Sequence, residues 1–375
     1  MLKIGIAGQR GLAFLKAFRT LPGVEVAALC DINSEVLERN ASAHEIPGRF
    51  TEFAAMLDSV DAVVVSTPMQ CHAEQSIEAL AAGKHVLSEV SACITLDECW
   101  RLLSAAEKNS AVYAMAENYC YGKDVVLVKE LVRQGLFGVP YFAEGEYLHE
   151  VRNYHHTPDG SPTWRAVYQV GRRGCTYGTH SLGPVMQWFT AADPSERIAS
   201  ISCHGTGVHT DPGHPHDDTC LMLVQLASGK LIKIRLDMLS NRPHLPAYYA
   251  LQGTLGVYEA SRFPGQTAQI WLGKSEDGAN RKWQPISELY ETHLPADWRS
   301  PPPEALAAGH GGGDYFVARD FVRACRGEAA PNCGIHDALA WTACDILSEA
   351  SITNGGTPLR VPNFRNPKEK PLSYA

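Results

Sequence analysis

The chain has 375 residues, 45% hydrophobic and 20% charged, with 32 Gly and 23 Pro. This composition excludes disorder, a collagen-like repeat and a small disulfide-stapled fold, and the length exceeds what one core usually fills, so two domains are expected. Thirty-three Lys plus Arg against 41 Asp plus Glu leave a formal charge of −8. With no basic run, nucleic acid and anionic membranes are poor partners and a small molecule is the better one.

The eleven cysteines are odd in number, include no Cys-x-x-Cys pair and lie partly inside apolar runs. They read as small hydrophobes of a reduced, cytoplasmic protein. Met1–Gly8 enters a strand at once, without room for a signal peptide, and no run of 18 apolar residues offers a membrane span.

Residues 1–118 alternate strands with helices. Lys3–Ala7, Val24–Cys30, Asp61–Ser66, Lys84–Ser88 and Ala111–Ala116 read as strands, while Leu12–Thr20, Ser34–His44, Cys71–Ala82 and Leu96–Lys108 read as helices. The continuous apolar run Ala62-Val-Val-Val65 is what a parallel sheet covered on both faces requires. An α/β fold with an N-terminal doubly wound nucleotide-binding sheet follows.

The rhythm changes after Asn118, so residues 119–375 are expected to form a second, substrate-binding α+β domain. A helix is predicted over Lys123–Gln134, ended by Gly135. Strands follow at Tyr141–His149, Ile198–Gly205, Leu221–Leu226, Leu231–Met238, Tyr248–Gly253 and Ala268–Leu272, with a helix near Ser181–Phe189. Turns at Ala227–Gly229 and Gly253–Gly256 suggest a largely antiparallel open sheet. The stretch Pro301–Gly313 reads as a mobile loop or crossover. Two helices, Tyr315–Arg326 and His336–Thr353, then precede a Pro-rich tail from Pro362, and these closing elements are candidates to pack back on the first domain.

Gly8-Gln9-Arg10-Gly11-Leu12-Ala13 follows the first strand and opens a helix, where backbone N–H groups meet a pyrophosphate at the positive helix end. Asp31 ends the second strand, where a carboxylate binds the adenosine ribose hydroxyls and repels a 2′-phosphate, favouring NAD over NADP. Thr67-Pro68-Met69-Gln70-Cys71-His72 follows the next long strand at the edge that takes ligands. Glu89 and Asn118 end two further strands and offer ribose or carboxamide partners, or else cap the helices that follow.

His209, His214, His216, Asp217 and Asp218 have spacing that zinc tolerates. Asp211-Pro-Gly-His-Pro-His216 reads more simply as a loop, so no metal is expected there. His155-His156 reads as surface or substrate rim. Trp164 and Trp188 either stack on a sugar or fill the core.

Together these residues resemble the Gfo/Idh/MocA family of NAD(P)-dependent oxidoreductases. The matching marks are the glycine turn, Cys30-Asp31, Asp61-Ala-Val-Val-Val-Ser-Thr-Pro68, Gly83-Lys-His-Val86 and Glu89. One departure stands out: Glu89-Val90-Ser91 occupies the place of the family's Glu-Lys-Pro, so the lysine beside the substrate hydroxyl is missing. Glu117-Asn-Tyr-Cys-Tyr-Gly122, Tyr147-Leu-His149, Trp164-Arg165 and Tyr177-Gly-Thr-His-Ser-Leu-Gly-Pro184 are similar to the branch of NAD-dependent glycosidases typified by α-N-acetylgalactosaminidases, which also carries Glu-Val. Gly178 stands where that branch has proline, and Arg242-Pro-His244 where it has Arg-Pro-Tyr.

The resemblance implies NAD contacts at Gly8, Gln9, Arg10, Gly11, Asp31, Thr67, Pro68, Met69, His72, Glu89, Val90 and Asn118. It implies sugar contacts at Tyr147, Arg165, Tyr177 and His180; His149 and Trp164 are further substrate candidates, and the residue types of His180 and Tyr177 suit catalytic work. A hydroxyl losing hydride must also lose a proton. His180 is assigned that base role, as the readier base near neutral pH, and Tyr177 a proton-relay or elimination role. The leading expectation is hydride transfer between NAD and a sugar or sugar derivative. The first alternative is a glycosidase working by transient oxidation, elimination, water addition and re-reduction; the second is a non-catalytic nucleotide or sugar sensor. A homodimer or homotetramer through the open C-terminal sheet is expected.

Overall fold

In the computed structural model, residues 1–214, 216–243, 247–274, 278, 280–366 and 369 are described. The chain divides into two compact units, Met1–Gly122 with Pro301–Thr342, and Lys123–Ser300 with Ala343–Ala375. The division falls inside the helix Ile335–Thr353.

The first unit is built on six parallel strands, β1 (Leu2–Ala7), β2 (Val24–Cys30), β3 (Gly48–Phe50), β4 (Ala62–Val65), β5 (His85–Ser88) and β6 (Tyr113–Met115), in the order β3-β2-β1-β4-β5-β6. Ala62–Val65 pairs with β1 on one side and β5 on the other and is wholly buried, as its unbroken apolar run demands. Local chemistry sets the helix starts. The Asn33 side chain accepts N–H groups of Glu35 and Val36 to open Ser34–Ala43, and Thr95 with Glu98 forms a capping box for Leu96–Glu107. The order reverses direction between β1 and β4, the crevice where such sheets bind ligands.

The second unit carries nine strands: β7 (Pro140–Leu148), β8 (Ile198–Gly205), β9 (Thr219–Leu226), β10 (Leu231–Asp237), β11 (Ala247–Gly253), β12 (Gly256–Glu259), β13 (Gln269–Leu272), β14 (Gln284–Pro285) and β15 (Leu359–Arg360). Their order is β14-β13-β12-β11-β7-β10-β9-β8-β15, with β7 and β10 parallel and the other neighbours antiparallel. The helix Thr179–Ala192 packs on β7, β10 and β11. Gly145 permits that approach, because a Cβ there would overlap the Ser181 carbonyl. Outward-facing Leu221 and Leu223 alternate with buried Cys220, Met222 and Val224, leaving the other sheet face open.

The expected fold class is therefore observed: a doubly wound parallel sheet and a mostly antiparallel one. Several details differ from the sequence reading. The stretch after Gly8 is a 3-10 turn, Gln9–Phe14, before the α-helix Leu15–Thr20. β3 and the helix Phe53–Leu57 were too short to register as periodic runs. The Gly253–Gly256 turn joins β11 to β12, a strand of four residues. Pro301–Gly313 is not a bare loop: it holds the helix Pro303–Leu306 and a turn at His310–Gly312. Trp188 belongs to the core, its indole N–H donating to the Val125 carbonyl at 3.0 Å. His244 and most of the tail beyond Asn366 lie outside the described residues.

Candidate active site

In the first unit, the expected cofactor residues gather along the carboxyl edge of the sheet because each follows a different parallel strand. Gly8 follows β1 with φ 87° and ψ 140°, backbone that an L side chain rarely adopts. A Cβ on Gly8 would stand 2.5 Å from the Ser66 carbonyl, and one on Gly11 would stand 2.5 Å from Ser66 Oγ. The turn is thus a cradle that only glycine leaves open. Asp31 follows β2 and accepts the Asn33 N–H at 3.0 Å, while the Thr67 hydroxyl donates to Gln75 Oε1 at 2.6 Å. Met69 and Val90 are buried, Pro68 half-buried, and Gln9 exposed.

Glu89 and Asn118 do not cap the helices after them. The Arg10 guanidinium Nε lies 3.5 Å from Glu89 Oε1. Asn118 Nδ2 donates to Asp314 Oδ1 at 3.1 Å and lies 3.1 Å from His310 Nδ1, while buried Asn118 Oδ1 makes no hydrogen bond. An orphaned buried acceptor beside a glycine cradle suits a ligand with hydroxyl or amide donors, which a dinucleotide supplies. His72, expected as an NAD contact, is buried between backbone carbonyls of Thr67 and Ser91.

His310 and Asp314 escaped the sequence reading. Positive φ at His310, Gly311 and Gly312 folds the chain so that His310 Nδ1 lies 3.0 and 3.1 Å from the two Asp314 carboxylate oxygens. The carboxylate raises the imidazole's pKa against the opposing effect of burial. Burial also works against the Asp314 charge, and His310, Asn118 and Arg10 together outweigh it, holding the carboxyl below its usual range. A His and an Asp four apart across Gly311-Gly-Gly313 were the available signal, hidden because a glycine run looks like a loop.

In the second unit, the expected sugar and catalytic residues form one aromatic and cationic cluster. Tyr147, near the end of β7, has its ring 4.9 Å from His180, 5.6 Å from His149 and stacked 6.4 Å from Tyr177. Tyr177 and His180 are 5.5 Å apart, ring to ring. Arg165 Nη2 donates to Tyr177 Oη at 3.0 Å, and its guanidinium lies 4.6 Å over the Trp164 ring. A single π-helical turn, Arg165–Gln169, brings buried Gln169 under Arg165: Nη1 donates to Gln169 Oε1 at 3.0 Å, and Gln169 Nε2 donates to Thr176 Oγ1 at 3.2 Å. Helix-period reasoning does not anticipate a π turn, so Gln169 went unnoticed.

His180 is the second residue of Thr179–Ala192, and Pro184 fixes its backbone. Proline has no N–H to give the carbonyl four residues back, so the His180 carbonyl lacks its helical partner. The Tyr249 hydroxyl donates to it instead, at 2.6 Å.

His155, His214 and His216 lie close together in this unit, with ring centroids 4.6 and 6.3 Å apart. Burial and the neighbouring imidazoles push His155 down to about 4. Asp218 accepts backbone N–H groups of His209 and Thr210, and Asp217 pairs with Arg173. No group able to hold a metal ion is present among the described residues. No helix among them is long and apolar enough to cross a membrane.

A six-strand parallel sheet with a glycine cradle and a strand-end carboxylate defines a nucleotide-binding oxidoreductase scaffold. Residues 2–117 match the model of the oxidoreductase family with NAD-binding Rossmann fold. Similar folds include an oxidoreductase domain protein from Kribbella flavida, at TM-score 0.81 and 22% identity over 96% of this chain and 99% of that one. Levoglucosan dehydrogenase in complex with NADH is another, at TM-score 0.79 and 18% identity over 96% and 99%.

Residues 121–370 match the C-terminal domain of glycosyl hydrolase 109. A glycosyl hydrolase family 109 protein of Shewanella pealeana is 30% identical over 96% of this chain and 84% of its own length. An α-N-acetylgalactosaminidase of Shewanella oneidensis is also 30% identical, with the same coverage. The chain belongs to glycosyl hydrolase family 109, and it is an NAD-dependent enzyme of the Gfo/Idh/MocA type.

Proposed function

We propose that the protein is a glycosidase that retains NAD and breaks its glycosidic bond by transient oxidation of the sugar. The observation that carries this reading is the Tyr147, Arg165, Tyr177 and His180 cluster, in a chain of this family whose position 90 is valine instead of lysine. When bound, NAD supplies the acceptor for a hydride from one sugar carbon and returns that hydride at the end of the cycle.

The chain's residues supply the proton chemistry. His180 takes the proton of the hydroxyl being oxidised, through a ring nitrogen. Tyr177 handles the proton of the neighbouring, acidified C–H, its hydroxyl oriented by the Arg165 N–H bond. Arg165, Tyr147, His149 and Trp164 bind the sugar, by hydrogen bonds and ring stacking. In the first unit, Asn118 Oδ1 accepts from the cofactor and Asp31 holds the adenosine ribose, which selects NAD over NADP.

The substrate is a small carbohydrate glycoside, and N-acetylgalactosaminide, the sugar in the S. oneidensis relative's name, is the first to test. Eleven free thiols favour a reducing cytoplasm. Exposed Leu221, Leu223 and Leu231 on the open sheet face favour a homodimer or homotetramer, which light scattering reads directly.

The deciding experiment incubates the purified protein with nitrophenyl glycosides in D2O. Aglycone release without net NADH, with deuterium entering the sugar, supports the glycosidase; stoichiometric NADH from a free sugar supports a plain dehydrogenase instead. Near-normal turnover by His180→Ala would remove the role given to His180.

A further inference from the structure

His72 opens the helix His72–Ala81 yet is only 2% exposed. Both ring nitrogens face backbone carbonyl oxygens: Nδ1 lies 2.9 Å from Ser91 O, and Nε2 lies 2.8 Å from Thr67 O. A neutral imidazole has one N–H, so it satisfies one of these oxygens and turns a lone pair toward the other. The imidazolium, with two N–H donors, satisfies both. The Glu89 backbone carbonyl and carboxylate also favour the charged ring, while burial opposes it and prevails, holding the imidazole below its ordinary pKa. The pocket is therefore shaped for a cation whose charge desolvation disfavours.

The two carbonyls belong to the segments following β4 and β5. Thr67 succeeds Ser66, whose carbonyl forms the floor under Gly8. Ser91 closes the Glu89-Val90-Ser91 run. A doubly bonded His72 ties these two segments together at the edge that receives the dinucleotide. Other ionisable groups bearing on the ring are few. Glu89 acts on it directly, and Arg10 stands 3.5 Å from Glu89. The adjacent Cys71 thiol is pushed up by burial and carries no charge.

We propose that His72 takes up a proton when NAD binds, so that cofactor capture completes both imidazole hydrogen bonds and locks the Thr67 and Ser91 segments. The inference rests on the reading that this edge holds NAD. NAD brings two negatively charged phosphates to the edge, and an arriving anion raises the proton affinity of a buried base. The proton comes from water or buffer and bonds to the ring nitrogen that carried the lone pair. No bond of the cofactor changes.

Isothermal titration calorimetry of the full chain, freed of nucleotide, in two buffers of different ionisation enthalpy at pH 7 counts the protons. Uptake approaching one proton per NAD is expected, with Kd weakening by up to tenfold per pH unit above neutrality. His72→Gln abolishes both effects, whereas His310→Gln, which removes the other imidazole sensed by Glu89 and Arg10, retains the uptake. NAD binding with no proton uptake overturns the proposal, and so does uptake that survives in His72→Gln or disappears in His310→Gln. Failure of NAD to bind overturns the cofactor reading as well. Should His72→Gln not fold, 15N spectra of the wild-type complex decide: two protonated ring nitrogens at pH 7 are expected, and one bare nitrogen overturns the proposal.

Discussion

Substituting Gly178 perturbs the candidate active site at a point with no room for a side chain. Its backbone, φ −66° and ψ −19°, suits any L residue and even proline, so conformational freedom is not why glycine stands here. Space is the reason. A Cβ would lie 3.2 Å from both Asp345 Cγ and Cys175 Cβ, and would overlap Asp345 Oδ1. Gly178→Ala keeps the N–H bond to the Cys175 carbonyl and adds only overpacking, about 1–3 kcal/mol. For a unit of this size, that lowers Tm by about 2–12 °C. Gly178→Pro also removes the 3.1 Å bond to Cys175 O, for about 1 kcal/mol more. Adding Asp345→Ala to Gly178→Ala removes the collision, so the double mutant recovers stability, with a coupling of about 1 kcal/mol or more. Because Gly178 joins Tyr177 to the helix bearing His180, glycosidase turnover should fall with Tm in the single mutant and recover in the double. Differential scanning calorimetry with a nitrophenyl glycoside assay checks both. A Gly178→Ala protein melting with the wild type would refute the steric account.

Asp31→Ala should raise the NADP-to-NAD affinity ratio by about tenfold or more, measured by calorimetry, since the carboxylate that repels a 2′-phosphate is gone. Asp314→Asn removes the charge that raises His310, so the NMR titration midpoint of His310 should move to lower pH. A folded-state pKa above the unfolded one stabilises fully below the unfolded value and is lost as pH rises through the folded one, so the variant's stability deficit should be largest at mildly acid pH, shrink toward alkaline pH, and shrink again below the carboxylate range as Asp314 protonates. Arg173→Ala strands an Asp217 side chain with no exposed surface and should cost about 2–4 kcal/mol in urea unfolding, discounted for the half-exposed arginine. His155, held neutral down to about 4, binds its proton more readily when unfolded, so stability should fall as pH drops from 6.5 toward 4. His155→Gln should flatten that decline in urea midpoints.

Much of the first unit was legible because its signals are local. The run Ala62–Val65 declares a buried parallel strand through its own composition, and Gly8 and Asp31 declare their place at strand ends. Sequence order alone puts such residues on one sheet edge, since parallel strands joined by right-handed crossovers all point their carboxyl ends the same way. Resemblance to a known family added Tyr147, Arg165, Tyr177 and His180, and the structure places these four together.

Other features depend on distant partners and leave little local trace. His310 and Asp314 lie in a glycine-rich stretch, and their tie to Asn118 spans 192 and 196 residues of chain. Gln169 acquires its place from a π turn that no 3.6-residue pattern anticipates. The glycine at 178 looks like a departure until Asp345, from the helix Ile335–Thr353, is found filling the space beside it. The sequence alone determined the class of fold and the missing lysine at position 90, because periodicity and motif residues are properties of neighbouring positions. Only tertiary structure decided which imidazole Asp314 raises, which carbonyls grip His72 and why Gly178 bears no side chain. Those outcomes are set by separations of about 3 Å or less that the folded backbone creates.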